Sequence, residues 1–202
     1  MKPGTRKTLI ALACTFLALN ALAGTGFAAQ DTNPTYLPLL SKAQAGGPGP
    51  NPGNDFTNPG FEDGLSGWDF VSGAGGSDIP SEEKQHSGKF SAKLGGENNW
   101  GASVAQSVTV PSDRPVLEYW TWILSDEGDC GEAYDFFTVS VNSGEITRQG
   151  LCTDISTETW ERRTLDLSAY AGQEVLLKIR FESDNVLKSE FFLDDVGFVS
   201  AN

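Results

Sequence analysis

Strict alternation of apolar and polar side chains is the feature that most restricts what this chain can fold into. In the segment EVLLKIRFE (174–182), every second residue from Val175 onward is apolar, whereas Lys178, Arg180 and Glu182 fall on the other side. A period of two is the side-chain pattern of a β-strand that is buried on one face. The segment is therefore predicted to be a strand with one face in a core.

Similar patterns recur through the second half of the chain. Clusters of Gly, Pro, Asn and Ser separate them, and no segment shows a convincing amphipathic helical period. We therefore predict one all-β domain over residues 55–202, folded as an antiparallel sandwich. The other predicted strands are Lys89–Leu94, Ala105–Val110, Val116–Leu124, Phe136–Val141, Arg162–Leu167 and Phe191–Val199.

The first 54 residues have a different composition. Residues 1–29 carry a basic head, an apolar run from Thr8 to Ala23 and small residues near Ala28, which together predict a secretory signal peptide. The alternative is an uncleaved membrane anchor, although the run is short for a full span. Residues 30–54 are rich in Gly, Pro and Asn and are predicted to form a flexible linker.

The charge balance excludes some partners. The chain has 14 basic and 27 acidic residues, and its net charge is −13. Loss of the leader would remove three basic residues and no acid, which leaves 11 basic residues and a net charge of −16. Such a chain repels nucleic acid and anionic membranes, so we expect neither partner and no membrane insertion after leader cleavage. The balance suits a secreted, extracellular protein.

Two cysteines remain after the leader, which contains Cys14, is removed. Export makes a disulfide between Cys130 and Cys152 the default expectation. The pair brackets two predicted strands and a turn, so the bond would close a hairpin. A metal site of thiols is a poor alternative because the chain has a single histidine, His86.

Two acidic positions near the ends of the domain suggest a cation. Strand alternation in FFLDDVGFV places Phe192, Asp194 and Val196 on one face, and Asp195 on the other. A carboxylate therefore lies among apolar residues whichever face is inward, and a buried carboxylate is costly unless it is paired or bound to a metal. The alternative is that Asp194 accepts backbone N–H groups while Glu62, in NPGFEDGLSGW, is only solvated.

Four motifs in order, NPGFEDGLSGW, HSGKFSAKL, WERRTLDLSAYAGQEVLLKIRFESD and FFLDDVGF, resemble the galactose-binding-like jelly-roll sandwiches. These include carbohydrate-binding modules of families four and nine and accessory domains of immune inhibitor A-type secreted metallopeptidases. The resemblance implies a jelly roll in which a structural calcium ion ties the first turn to the last strand. Glu62 and Asp194 would be its ligands, with carbonyl groups near Gly60 and Lys89.

Aromatic residues are the candidates for a glycan site, because flat rings pack against the apolar faces of sugars. Trp120 and Trp122 share a strand row with Glu118, so we expect them on an outer face. If the two strands are neighbours, Arg180 completes a platform there. Trp100, in the loop GGENNWG, is the other candidate ligand-binding residue. The alternative is that these indoles are core residues.

The remaining patterns do not indicate catalysis. No nucleophile elbow, metallopeptidase motif or phosphate-binding loop is present, and no residue is predicted to be catalytic. Residues 125–135 hold five acids around Cys130 and are expected to be a solvated loop, with a weak cation site as the alternative. We predict a secreted, non-catalytic carbohydrate-binding-module-like domain. The alternative function is a protein-interaction module of the cell surface that binds a protein partner rather than a glycan.

Overall fold

A computed structural model describes residues 55–73 and 78–201 of the chain. The predicted leader and linker lie outside these residues. Within them, no helix has the length and apolar character that a membrane crossing requires.

Ten strands form two antiparallel sheets of five strands each. Sheet I has the order β1-β4-β9-β6-β7 and sheet II the order β2-β3-β10-β5-β8, so the chain passes repeatedly from one sheet to the other. In chain order the strands are β1 (Asp69–Ser72), β2 (Asp78–Ser81), β3 (Ser91–Lys93), β4 (Gly101–Thr109), β5 (Val116–Ser125), β6 (Asp135–Val141), β7 (Gly144–Leu151), β8 (Trp160–Asp166), β9 (Glu174–Glu182) and β10 (Ser189–Val199).

The predicted jelly-roll β-sandwich is confirmed: strands make up 51% of the structure and helices 6%. Strand β9 has the bounds that its alternation predicts, and β5 extends one residue further. Strand β7 is the second of the two strands that the cysteine pair is predicted to bracket. The short strands β1 and β2 are additional, because segments of four residues carry too few alternations to be recognised.

The core lies between the sheets and is built by the inward rows of the strands. Val175, Leu177, Ile179 and Phe181 of β9 are all buried, as the period of two requires. Complete burial of side chains of this size contributes about 1.5–3 kcal/mol each. The outward residues of the same strand remain at the surface of sheet I, where they are available for function.

An aromatic cluster closes one end of the sandwich. Phe61 stacks on Trp68 with 5.1 Å between ring centroids, and Phe56 lies 5.8 Å from Trp68 and 5.2 Å from Phe198. Phe61 adopts a positive φ of 59°. Its backbone N–H donates a hydrogen bond to the Asn58 carbonyl, which stabilises the turn. The first motif is thus fixed to β10.

A disulfide joins Cys130 and Cys152, whose Cα atoms are 5.1 Å apart. The two residues lie beside short 3₁₀ turns at Cys130–Glu132 and Thr153–Ile155. Strands β6 and β7 pair between them, so the bond closes the hairpin that the sequence predicts.

Candidate functional site

Asp194 is the most constrained acid in the structure. Its carboxylate is fully buried, Oδ2 accepts the N–H groups of His86 (2.9 Å) and Ser87 (3.2 Å), and Oδ1 accepts the N–H of Asp195 (2.8 Å). Burial, with a smaller effect from the neighbouring Asp195 charge, raises the pKa of Asp194 to about 7, although the three N–H donors oppose the shift. Asp194 therefore accepts hydrogen bonds from backbone N–H groups. This is the role that the alternative hypothesis gives it in place of a metal ligand.

Glu62 is exposed but it is not merely solvated, so that part of the alternative is wrong. Its Oε1 accepts the N–H groups of Lys89 (2.9 Å) and Phe90 (3.0 Å), and its Oε2 also accepts the Lys89 N–H (3.1 Å). A side chain at Gly88 would collide with this carboxylate. Glu62 and Asp194 thus hold neighbouring parts of one segment.

Gly60 lies where the carboxylates of β10 approach the first turn. A Cβ atom at this position would be 3.3 Å from both Asp194 Oδ1 and Asp195 Oδ1. The Pro59 carbonyl accepts the N–H of Val196 at 3.1 Å, which joins the turn to β10. The predicted connection between the first motif and the last strand is therefore present in the structure.

The predicted face of Asp194 is wrong in part, because a β-bulge in β10 separates Asp194 from Val196. The pairing with β5 gains one extra residue between Asp194 and Gly197, and Asp195 has a φ of 48°. An extra residue reverses the alternation. Val196 consequently joins the core between the sheets, whereas Asp194 lies on the outer face of sheet II beside Trp120, its partner on β5.

Trp120 and Trp122 occupy the outer face of sheet II, as their row predicts, but a covering segment, residues 82–90, lies over them. The His86 ring stacks on Trp120 with 3.7 Å between centroids, and the Lys84 ammonium lies 4.6 Å from the centre of the Trp122 ring. Trp122 is only 8% exposed. In this arrangement the two indoles hold the covering segment.

His86 and Ser87 do not form a catalytic arrangement. The Nδ1 of His86 lies 2.6 Å from Asp195 Oδ2, and the Ser87 hydroxyl donates to Asp195 Oδ1 at 2.8 Å. The serine therefore donates to the acid and not to the imidazole, which differs from the hydrogen-bond order of a Ser–His–Asp triad. The three residues fasten the covering segment to the bulge.

Trp100 is a core residue rather than a rim aromatic. It is 7% exposed and belongs to the apolar cluster between the sheets. Its backbone N–H donates to the Ser183 hydroxyl at 3.1 Å. The residues next to Trp100 in the sequence are polar turn residues that remain near the surface, so the sequence does not indicate that Trp100 is buried.

Arg180 lies on the outer face of sheet I, so the predicted platform that combines it with Trp120 and Trp122 is wrong. Strands β9 and β5 belong to different sheets and their outward rows face opposite directions. The Glu182 carboxylate instead joins Arg180 (2.8 Å) and Arg148 (3.1 Å), and the Arg148 guanidinium lies 3.9 Å from the Phe136 ring centre.

Small side chains line the middle of this face. On β4, Ser103 points outward between Val71 of β1 and Arg180 of β9, and Ala105 points outward between Asp69 and Lys178 of the same two strands. Both small residues are buried although they face outward, while Val71 and Arg180 are exposed. Larger side chains therefore flank and shield this row of small residues along β4, and we refer to the row with its flanking residues as the groove along β4.

A second group of acids lies at the end of the sandwich where the disulfide is. One carboxylate oxygen from each of Glu127, Asp135 and Asp184 lies within 4.8 Å of the others, so these residues can hold a metal ion. The prediction of a solvated loop is therefore wrong for Glu127 and Asp135, which are both buried. Sequence reasoning also missed Asp184, which reads as a turn residue and is remote in the chain.

No protein-family model and no curated protein matches the chain, but solved structures resemble its fold. TmCBM61, solved with β-1,4-galactotriose, aligns with a TM-score of 0.53 at 15% identity over 73% of this chain and 99% of its own. A carbohydrate-binding module of the β-sandwich superfamily, solved in work on promiscuous specificity, aligns at 0.50 and 18% over 73% of this chain and 63% of its own.

An adhesin domain has the same architecture. The K3 domain of Lys-gingipain from Porphyromonas gingivalis aligns with a TM-score of 0.50 at 17% identity over 72% of this chain and 98% of its own. These likenesses concern the fold, which carbohydrate-binding modules and adhesin domains share with this chain.

Proposed function

We propose that this chain is a secreted, non-catalytic glycan-binding module whose ligand lies on the outer face of sheet I. The observation that carries the proposal is the groove along β4, with the exposed side chain of Arg180 at its edge. A groove with a small-residue floor admits an extended chain, and a guanidinium offers several N–H donors to adjacent sugar hydroxyls.

The flanking residues supply the rest of a glycan site. Phe136 and Arg148 form a flat stack near Arg180, and Thr138 of β6 lies opposite Arg180 in the sheet. Sugar recognition needs a flat apolar surface beside polar groups, and this combination provides both. In this proposal the ring of Phe136 takes the sugar-stacking role that the sequence predicts for Trp120 and Trp122. Those two indoles instead contact the covering segment.

The fold neighbours support this class of function. TmCBM61 binds a galactose oligosaccharide, and a second neighbour is a carbohydrate-binding module. The resemblance of the motifs to modules of families four and nine points the same way, as does that to accessory domains of immune inhibitor A-type peptidases. The disulfide and the predicted leader support secretion.

The proposal includes a structural calcium ion at Glu62 and Asp194. Asp194 Oδ1 and the Glu62 side chain lie near Gly60, and the two oxygens that accept a single N–H, Asp194 Oδ1 and Glu62 Oε2, each keep a further lone pair for a cation. The ion would supply positive charge where Asp194 and Asp195 converge. A Glu62→Gln variant should therefore bind one calcium ion fewer than the wild type; an equal number would contradict this part of the proposal.

A second candidate function is protein binding at a cell surface. Three large apolar side chains, Tyr134, Val186 and Leu187, are about half exposed or more, and they follow β5 and β9 at one end of the sandwich. The adhesin domain of Lys-gingipain supports this candidate as a fold neighbour. Its contact surface would be the loops rather than the groove.

A glycan array followed by affinity electrophoresis tests the groove. We expect Arg180→Ala to weaken binding about tenfold or more, because a hydrogen bond from a charged group contributes about 1.5–3 kcal/mol. Arg162→Ala is the matched control, since Arg162 is an exposed arginine paired with Glu118 on the outer face of sheet II. It should bind as the wild type does.

The opposite pattern would overturn the proposed surface. Loss of binding in Arg162→Ala with normal binding in Arg180→Ala would place the ligand on sheet II. A wild-type protein that binds no glycan, but binds a protein partner less well after Val186→Ser, would favour the second candidate.

A further inference from the structure

Three parts of the chain converge at the second acidic group, which we name the loop-end cluster: Glu127, Asp135 and Asp184. Glu127 follows β5, Asp135 begins β6 and Asp184 follows β9. These strands come from both sheets but end at the same side of the sandwich. The cluster therefore sits where a single ligand would connect the two layers.

Two oxygens in the loop-end cluster are buried without a donor. Glu127 is 4% exposed and its Oε1 has no hydrogen-bond partner; Asp135 is fully buried and its Oδ2 has none. The other oxygen of Asp135 accepts the Asp184 N–H at 2.9 Å, which fixes the carboxylate in orientation. Buried polar atoms are satisfied in nearly all folded proteins, so these two oxygens indicate a missing partner.

No basic side chain supplies that partner. None of the ion pairs found among the residues that the structure describes includes a cluster member. Burial raises the pKa of Glu127, and the charges of Asp135 and Asp184 raise it further. Three acids therefore face one another without compensating positive charge.

The surrounding backbone holds the cluster in place independently of these carboxylates. The Thr153 N–H donates to the Glu127 carbonyl at 2.7 Å, and the Asp126 N–H donates to the Lys188 carbonyl at 2.9 Å. The disulfide between Cys130 and Cys152 closes the same loop. Mutual repulsion of the acids is thus resisted by the fold, and a preformed all-oxygen site results.

We propose that the loop-end cluster is a second calcium site, with Glu127, Asp135 and Asp184 as protein ligands. All three donors are oxygen, which suits Ca²⁺ rather than Zn²⁺. Two oxygens bound to one Ca²⁺ at 2.3–2.6 Å can lie up to about 5 Å apart, a range that includes the observed limit of 4.8 Å. Mg²⁺ demands a tighter octahedron and is the poorer fit.

Calcium at this position would join the disulfide loop to the turn between β9 and β10. It would thereby fix the backbone that presents Tyr134, Val186 and Leu187 at the surface. The site is separate from Glu62 and Asp194, so it does not depend on the proposed function.

Calcium titration of the full chain, stripped with chelator, tests the proposal by calorimetry and thermal unfolding. The variant is Glu127→Gln/Asp135→Asn, and the matched control is Asp126→Asn, an exposed acid in the same loop. We expect the variant to bind one calcium ion fewer than the wild type and the control to bind as many. Saturating calcium should raise the Tm of the wild type by about 5–10 °C.

The Glu127→Gln/Asp135→Asn variant should also shift the unfolding temperature in opposite directions in chelator and in calcium. In chelator it should unfold at a higher temperature than the wild type because two repelling acids have been neutralised, whereas in calcium it should unfold at a lower one. An unchanged calcium count would overturn the proposal, as would a variant less stable than the wild type in chelator. A loss of one ion only in Glu62→Gln would leave calcium at the first turn and remove it from the loop-end cluster.

Discussion

The two acidic regions of the sandwich compensate burial in different ways. At the first turn, every oxygen of Glu62 and Asp194 accepts at least one backbone N–H. In the loop-end cluster, Glu127 Oε1 and Asp135 Oδ2 accept none. Carboxylates bound by N–H groups can organise a chain segment without a cation, whereas unpartnered buried oxygens indicate a ligand.

The two acidic regions also differ in role, because one stabilises the fold and the other is proposed to bind an ion. Asp194 and Glu62 position the covering segment over Trp120, so these residues act mainly on the fold. The loop-end cluster contributes no comparable hydrogen bonds from its free oxygens and gains its partner only when an ion is present. Variants of the two regions should therefore differ in their stability in chelator, where Asp194 keeps its N–H donors and the loop-end cluster has no ion.

The largest effect is expected from Asp194→Ala. This change leaves three partly buried N–H groups without their acceptor, at about 1–3 kcal/mol each before relaxation, so we expect a loss of about 3–5 kcal/mol in the free energy of unfolding. Urea denaturation in chelator measures the loss without a contribution from cations. Asp126→Ala, an exposed acid, should change stability by less than about 0.5 kcal/mol. A loss below about 1 kcal/mol for Asp194→Ala would refute the structural role.

Removal of the disulfide should have the next largest effect. Cys130→Ser/Cys152→Ser opens a loop with a sequence separation of 22 residues, which costs about 3 kcal/mol on the chain-entropy model. Because this loop contains Asp135 and Glu127 lies just before it, we also expect weaker calcium binding at the loop-end cluster and no change at the first turn. Calorimetric titration of the double variant against Glu62→Gln separates the two sites. Equal affinity before and after removal would show that the loop does not shape the cluster.

A smaller effect is expected from pH when the protein is held in chelator. The pKa of Asp194 rises from 3.8 to about 7 on folding, mainly through burial, and burial also raises the pKa values of Glu127 and Asp135. A raised pKa adds stability that is complete below about pH 4 and is lost as pH rises to about 7. The Tm should therefore increase by a few degrees between pH 7 and pH 5. A Tm that falls over this interval would contradict the assigned directions.

Much of the fold follows from local patterns. Alternation predicts β9 to the residue and places Trp120 and Trp122 on an outer face, because both depend only on side-chain periodicity. Which strands become neighbours depends on the route of the whole chain. Side-chain alternation therefore could not predict that Arg180 and Trp120 lie on different sheets.

The acidic sites show the same division. The first turn and the last strand carry recognisable motifs, so the approach of Gly60 to Asp194 could be expected. The bulge at Asp195 could not, since one inserted residue leaves no mark in a strand pattern. The loop-end cluster unites Glu127 and Asp184 across 57 positions. The acidic loop around Glu127 suggests a weak cation site only as an alternative, and no pattern near Asp184 indicates a ligand.

The most direct test is an anomalous-scattering map from crystals grown with calcium chloride. We predict a peak bounded by the carboxylates of Glu127, Asp135 and Asp184, at about 2.3–2.6 Å from the ligand oxygens. Crystals in which Glu127 Oε1 and Asp135 Oδ2 lie within hydrogen-bond distance of each other, with no peak between them, would contradict the account.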